Sequence, residues 1–184
     1  MRTPLARLAR YAALALLTLA AGACASTYTG FYIARNLDFG SYRTFDWAPP
    51  DTAPTGDPRL DNNEVFDRHV REQVEQALTS RGFVRVAPPL RPDLLVHYHA
   101  SVTQDIDLRD LDLPHDYCEE ADCRPYVYDA GTLFVDLVDP RADRLVWRGW
   151  AEGSLQGVLD DQDRLEAHVD RTVARVFARL SPPS

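Results

Sequence analysis

The stretch LLVHYHASVT, residues 94–103, carries the strongest structural signal in the chain. Leu94, Val96, Tyr98, Ala100 and Val102 alternate with His97, His99 and Ser101, the period-two pattern of a strand that is buried on one face only. Toward the C-terminus, residues 104–130 read as an acidic excursion. Residues 132–138 and 145–152 then read as a hairpin around Asp139-Pro140-Arg141-Ala142-Asp143-Arg144. Toward the N-terminus, 83–86 is a short strand, and YRTFDW (42–47) alternates to place Phe45 and Trp47 on one face. Pro49, Pro50, Pro54 and Pro58 make 48–60 a loop, and an extended piece is expected around 27–34. Two stretches switch to the helical period. Residues 62–81 carry Phe66, Val70, Val74, Ala77 and Leu78, with Asp61 or Asn62 as the expected cap and Gly82 as the stop. Residues 161–180 carry Leu165, Val169, Val173, Val176, Phe177 and Leu180. Each helix has a single apolar stripe, so the pattern predicts an α+β two-layer sandwich. A mostly antiparallel sheet of about 4–6 strands would have both amphipathic helices on one face.

The chain has 184 residues, 20 arginines, no lysine and 28 acids, for a net charge of −8. That length suits one domain with a proper core, and 45% hydrophobic content argues against wholesale disorder. The acid surplus argues against nucleic acid as a partner, because phosphates demand neutralising cations. It also disfavours any general attraction to anionic headgroups.

Residues 1–23 hold Arg2, Arg7 and Arg10, then an apolar run from Tyr11 to Ala20, then small residues. This is the order of a secretory signal, and the run is too short for a permanent membrane helix. Its end, Ala21-Gly22-Ala23-Cys24, resembles a bacterial lipoprotein signal, in which the cysteine is acylated and becomes the mature N-terminus. The pattern prefers leucine where Ala21 stands. The alternative is ordinary cleavage after Ala23 or Ala25, which leaves a soluble periplasmic protein. Such lipoproteins tend to stay at the inner membrane when aspartate follows the cysteine. Ala25 and Ser26 follow here, so the resemblance implies the outer membrane, with the domain facing the periplasm. The division expected is a signal peptide over 1–23, an anchor and lead-in over 24–40, and one domain over 41–184. With Cys24 as the anchor, Cys118 and Cys123 remain as an even pair in an oxidising compartment. A local disulfide is expected between them, two reduced thiols being the alternative.

A family resemblance rests on several motifs taken together. They are Tyr42-x-Thr44-Phe45-x-Trp47, Pro92-Asp93-Leu94, Gly131-Thr132-Leu133, Asp136-Leu137-Val138-Asp139, Leu145-Val146-Trp147-Arg148-Gly149 and Leu180-Ser181-Pro182-Pro183. In this order they resemble the bacterial lipoprotein family catalogued as domain of unknown function 4136. The likeness covers nearly the whole mature chain, and the hairpin motif is its most specific part. The resemblance implies an envelope location and a lipoprotein signal. It supplies no activity and no catalytic residues.

Candidate chemistry is sparse. His97 and His99 sit two apart, opposite the apolar face of their strand, where two imidazoles can share a metal. His115, Asp116, Cys118, Glu119 and Cys123 in the following excursion could complete such a site. The bland reading is a polar side of a half-buried strand. The excursion 104–123 carries eight acids, but it lacks the glycine and ligand order of a calcium loop, so a solvated loop whose charge can steer a basic partner is the better reading. Ser154 follows Gly153 directly, which breaks the nucleophile-elbow pattern. His69 and His168 read as boundary residues of the helices. No phosphate-binding loop occurs. Trp147 and Trp150 have opposite strand parity, so one of them is expected on the exposed face. The expectation is therefore a non-enzymatic protein without a cofactor. It would be held to the outer membrane through Cys24 and act by contact with an envelope protein. The alternative is a metal- or small-ligand-binding module using His97 and His99.

Overall fold

The computed structural model describes residues 28–35, 38–50, 52–107 and 126–183. Six strands form one sheet: β1 (Tyr28–Ile33), β2 (Thr44–Trp47), β3 (Val84–Arg85), β4 (Leu94–Asp107), β5 (Tyr126–Asp139) and β6 (Arg144–Ser154). Helix α1 (Glu64–Thr79) joins β2 to β3, and helix α2 (Gln162–Val176) closes the chain, running into a 3-10 turn at Phe177–Arg179. The strand order is β1-β6-β5-β4-β2-β3. β1, β6, β5 and β4 pair antiparallel, while β2 runs parallel to both β3 and β4. The expected α+β sandwich with a mostly antiparallel sheet is the fold found.

Burial follows the two periods read from sequence. The face toward the helices carries Leu94, Val96 and Ala100 from β4, and Leu133, Val135 and Leu137 from β5. Phe45 joins them from β2, and Trp147 and Ala151 from β6. Against them pack Phe66, Val70, Val74 and Leu78 of α1 and Val169, Val173 and Val176 of α2, with Phe177 just beyond. Fully burying a side chain of this size stabilises the fold by roughly 1.5–3 kcal/mol, so these stripes dominate the energetics. Gly149 makes room for the core. A Cβ there would lie 2.4 Å from the Trp147 ring and 2.9 Å from Val176. The Trp147 ring instead stacks on Phe177, centroids 5.3 Å apart.

Three local expectations are corrected. The cap of α1 is Asn63, whose side chain accepts from the amides of Val65 and Phe66. Asp61 is occupied by the amide and hydroxyl of Thr55, and Asn62 has a left-handed φ of 54°, so neither caps the helix. The excursion is shorter than 104–130, because β4 and β5 stay paired as far as Asp107 opposite Tyr126. Pairing with Tyr128 and Val127 keeps the polar Asp105 and its neighbour Ile106 in the ladder, which period-two hydrophobicity alone does not reveal. Finally, α2 gives way to a 3-10 turn at Phe177, short of the expected helix end at 180.

Candidate functional site

Three of the motifs quoted above, those of residues 42–47, 92–94 and 136–139, meet at one end of the sheet. Asp93, just before β4, accepts at Oδ2 from the amides of Arg43 and Thr44 (both 3.1 Å) and from the Thr44 hydroxyl (2.9 Å). The Asp93 amide donates back to the Thr44 hydroxyl at 2.9 Å. Its other oxygen takes a bond from Arg141, in the β5–β6 turn, at 3.1 Å. Asp139 accepts from the amides of Arg141 (2.8 Å) and Ala142 (3.3 Å) and from the Tyr42 hydroxyl (3.0 Å). Burial pushes the Asp93 carboxyl up. The donors from Arg43 and Thr44, with the charge of Arg141, outweigh burial and hold it below the usual range. Asp139 behaves in the same way, with Arg141, Tyr42 and Ala142 as its donors. This node fastens the parallel β2–β4 junction to the hairpin turn. Its groups face one another, so its role is structural.

The second feature is a cleft of about 450 Å³ between the proline-rich loop after β2, the start of α1 and β4. Trp47, Pro54, Asp61, Asp67, Arg71 and Tyr98 are among its walls, and His97 and His99 lie along it. Arg71 sits over the Trp47 ring at 4.5 Å and pairs with Asp67 at 3.0 Å. Tyr98 donates to Asp67 at 2.6 Å, and Trp47 donates to Glu75 at 2.7 Å. The volume is in the range of small-molecule sites, and carboxylates outnumber cations on its walls. Asp67 and Arg71 were not singled out from sequence. Their i,i+4 spacing on α1 is the signal that could have marked them.

The third feature is the sheet face that no helix covers among the described residues. Register places Tyr32, Arg148, Asp136 and His97 in one row, and Gly30, Trp150, Phe134 and His99 in the next. Trp150 lies across Gly30, where a Cβ would come within 2.0 Å of the ring, and stacks on Phe134 at 6.5 Å. Trp147 is fully buried on the opposite face, so the two tryptophans divide as their parity predicts. Arg148 grips both oxygens of Asp136, at 2.6 and 2.5 Å. The carboxylate opposite His97 is therefore taken by a guanidinium. Among the described residues no group of three or more His, Cys, Asp or Glu side chains gathers to hold a metal.

The other candidates scatter. Ser154 ends β6, and its hydroxyl accepts from the Gln156 amide at 3.2 Å. His69 ties α1 to α2 through Asp170 at 2.9 Å. His168 is partly buried between the helices and the sheet. Burial, then Arg171 and Arg175, pushes it below the ordinary imidazole value. Cys24, Cys118, Cys123, His115, Asp116 and Glu119 lie outside the described residues, as does most of the acidic excursion. No helix of the described residues is long and apolar enough to cross a membrane.

The described residues thus form an α+β sandwich with one sheet face that none of their helices covers, a polar cleft at the β4 edge and a motif node that fastens the fold. The family model for a domain of unknown function, DUF4136, matches residues 32–183, and the chain belongs to that family. Among solved structures, a DUF4136 family protein from Bacteroides thetaiotaomicron is 12% identical with a TM-score of 0.51, over 83% of this chain and 95% of that one. This likeness concerns the fold alone. A PelC dodecamer from Paraburkholderia phytofirmans is 13% identical with a TM-score of 0.48, over 86% of this chain and 99% of that one. A PDZ domain protein from Parabacteroides distasonis is 15% identical with a TM-score of 0.45, over 79% of this chain. The present chain spans about a third of that protein's length, 34%. No curated protein matches the sequence.

Proposed function

We propose that this protein is an outer-membrane-anchored periplasmic lipoprotein with a non-catalytic, accessory or structural role in the cell envelope. The observation that carries the reading is the N-terminal order. A basic, apolar and small-residue segment ends at Cys24, and the first described strand of the sheet begins four residues later at Tyr28. Acyl chains on Cys24 contribute about 0.8 kcal/mol per buried CH₂, so several chains together give essentially permanent attachment. The role by contact is supported by the use of the motif residues. Tyr42, Thr44, Asp93 and Asp139 bind one another and the backbone, and hold the fold. Palmitate labelling and membrane fractionation test the anchor. The natural chain takes label and follows the outer membrane, and Cys24→Ser loses both. Label retained on Cys24→Ser overturns it. Cross-linking in cells, followed by mass spectrometry, then names the envelope protein in contact.

The cleft favours a second reading, a module that binds a small ligand or metal along His97 and His99. Metal analysis and thermal-shift screening of the purified protein separate the two readings. A bound metal or ligand lost on the His97→Ala, His99→Ala double change would establish the module.

A further inference from the structure

We propose that the β1 edge of the sheet lies against the surface of a phospholipid bilayer that contains anionic headgroups. The inference rests on the lipid-anchor reading, and adds a second membrane contact made by the folded domain itself.

Among the described residues β1 is the end strand of the sheet, and it pairs with β6 over all six residues, without a bulge. It exposes Tyr28 (69%), Tyr32 (49%), Phe31 (39%) and Ile33 (38%). Edge strands are normally guarded by charges, prolines or bulges. YTGFYI has no charge and no proline, so this edge is built to be covered.

Charge and chain length identify the cover. Residues 28–35 and 171–179 adjoin along this rim, because α2 touches β1 and Arg179 sits over the Phe31 ring at 5.3 Å. Together the two segments hold Arg35, Arg171, Arg175 and Arg179 and not one acid, in a chain that carries 28 acids. The carboxylates that border it are Asp38, three residues beyond Arg35, Asp170, which pairs with His69 on the α1 side, Glu152, opposite Tyr28, and Asp136, which Arg148 holds. The rim is thus locally basic on an acidic protein, so the overall repulsion from anionic lipid does not apply there. Tyr28 lies four residue steps beyond Cys24, a reach of at most about 14 Å at 3.3–3.6 Å per residue. An acylated Cys24 therefore keeps the start of β1 close to the headgroups. Tyrosines and phenylalanine beside arginines suit that layer: rings enter the interface while guanidiniums reach phosphates. A second copy pairing there would bring two arginine rims and two acidic domains together.

The test uses the whole chain as cells make it. Intact mass first reports whether Cys24 is acylated. The acylated protein is then placed in vesicles of phosphatidylethanolamine with phosphatidylglycerol, or of phosphatidylcholine alone, and hydrogen exchange is followed over residues 28–35. Slower exchange at β1 on the phosphatidylglycerol vesicles, reversed by high salt, supports the proposal. Acylated protein whose β1 exchange is the same on both vesicles overturns the surface and leaves the anchor standing. Protection that rises with protein concentration without vesicles means a second copy, and overturns it too. If Cys24 carries no acyl group, the anchor reading fails separately, and co-sedimentation with the same vesicles reads the rim directly. Retention that falls about fivefold for each of Arg35→Gln and Arg179→Gln supports the contact. No retention overturns it. Both arginines are exposed, and the salt series serves as the second readout should either variant misfold.

Discussion

Replacing Asp93 by alanine probes whether the family motifs hold the fold together. The carboxylate accepts three bonds at one oxygen, from the Arg43 amide and the Thr44 amide and hydroxyl, and one at the other from Arg141. The Arg141 side chain is 73% exposed, so that pair contributes well under 1 kcal/mol. The two bonds from Thr44 are partly buried and charge-assisted, worth about 1.5 kcal/mol each at the low end. The expected loss is about 3 kcal/mol, a fall in melting temperature of about 6–12 °C for a domain of this size. Asp93→Asn keeps an acceptor oxygen but no charge, and falls between the parent and the alanine variant. The sign with pH follows from the depressed folded value. The carboxylate's stabilisation is complete above the unfolded value near 3.9, and is lost as pH falls through the lower folded value. Melting by circular dichroism at pH 7 and at stepped acid pH therefore gives a parent–variant gap that narrows toward acid. An alanine variant that melts within about 2 °C of the parent at pH 7 would refute the structural role of the node, and so would a gap that does not change with pH.

Gly149→Ala places a methyl group against the Trp147 ring and Val176; overpacking there costs about 1–3 kcal/mol, read from the urea midpoint. An unchanged midpoint would mean the ring can move aside. Among the described residues Trp147 Nε1–H is buried without a partner, an arrangement that costs about 1–3 kcal/mol. Trp147→Phe, which removes that donor and keeps an aromatic ring, should therefore cost far less than Trp147→Leu; equal costs would contradict this. His168 is held below its ordinary value by burial and by Arg171 and Arg175. The neutral form is favoured in the fold, so this contribution is full above about pH 6.5 and declines as pH falls below it. His168→Gln should flatten that part of the stability profile, and its imidazole signals in the parent should titrate below the ordinary range. With the carboxylate opposite His97 held by Arg148, the protein and its His97→Ala, His99→Ala variant should show the same metal content by elemental analysis.

The sheet and both helices could be read from the chain because their signals are local. Alternation at 94–103 and the stripes of α1 and α2 each specify one buried face, and one face per element leaves a two-layer sandwich as the simple solution. Gly82, with a φ of 93°, ends α1 as its position suggests. The same local logic placed Trp147 and Trp150 on opposite faces. It failed at the Asn63 cap, where three successive polar residues, Asp61, Asn62 and Asn63, are equivalent in sequence. There the choice depends on Thr55, which engages Asp61 from across a loop.

Sequence by itself determined the element order, the apolar stripes, the signal-like N-terminus and the family motifs, because each is written within a few consecutive residues. Only the tertiary structure decided what those motifs do. Thr44, Asp93, Asp139 and Arg141 are up to 97 residues apart along the chain, and the sheet order brings them to one node. The same long-range pairing joined β4 and β5 beyond the apolar alternation, set Asp136 against Arg148 beside His97, and gathered Arg179 onto Phe31 at the sheet edge. Hydrogen-bond ladders and charge pairs between distant segments have no period along the chain, and for that reason no local reading could supply them.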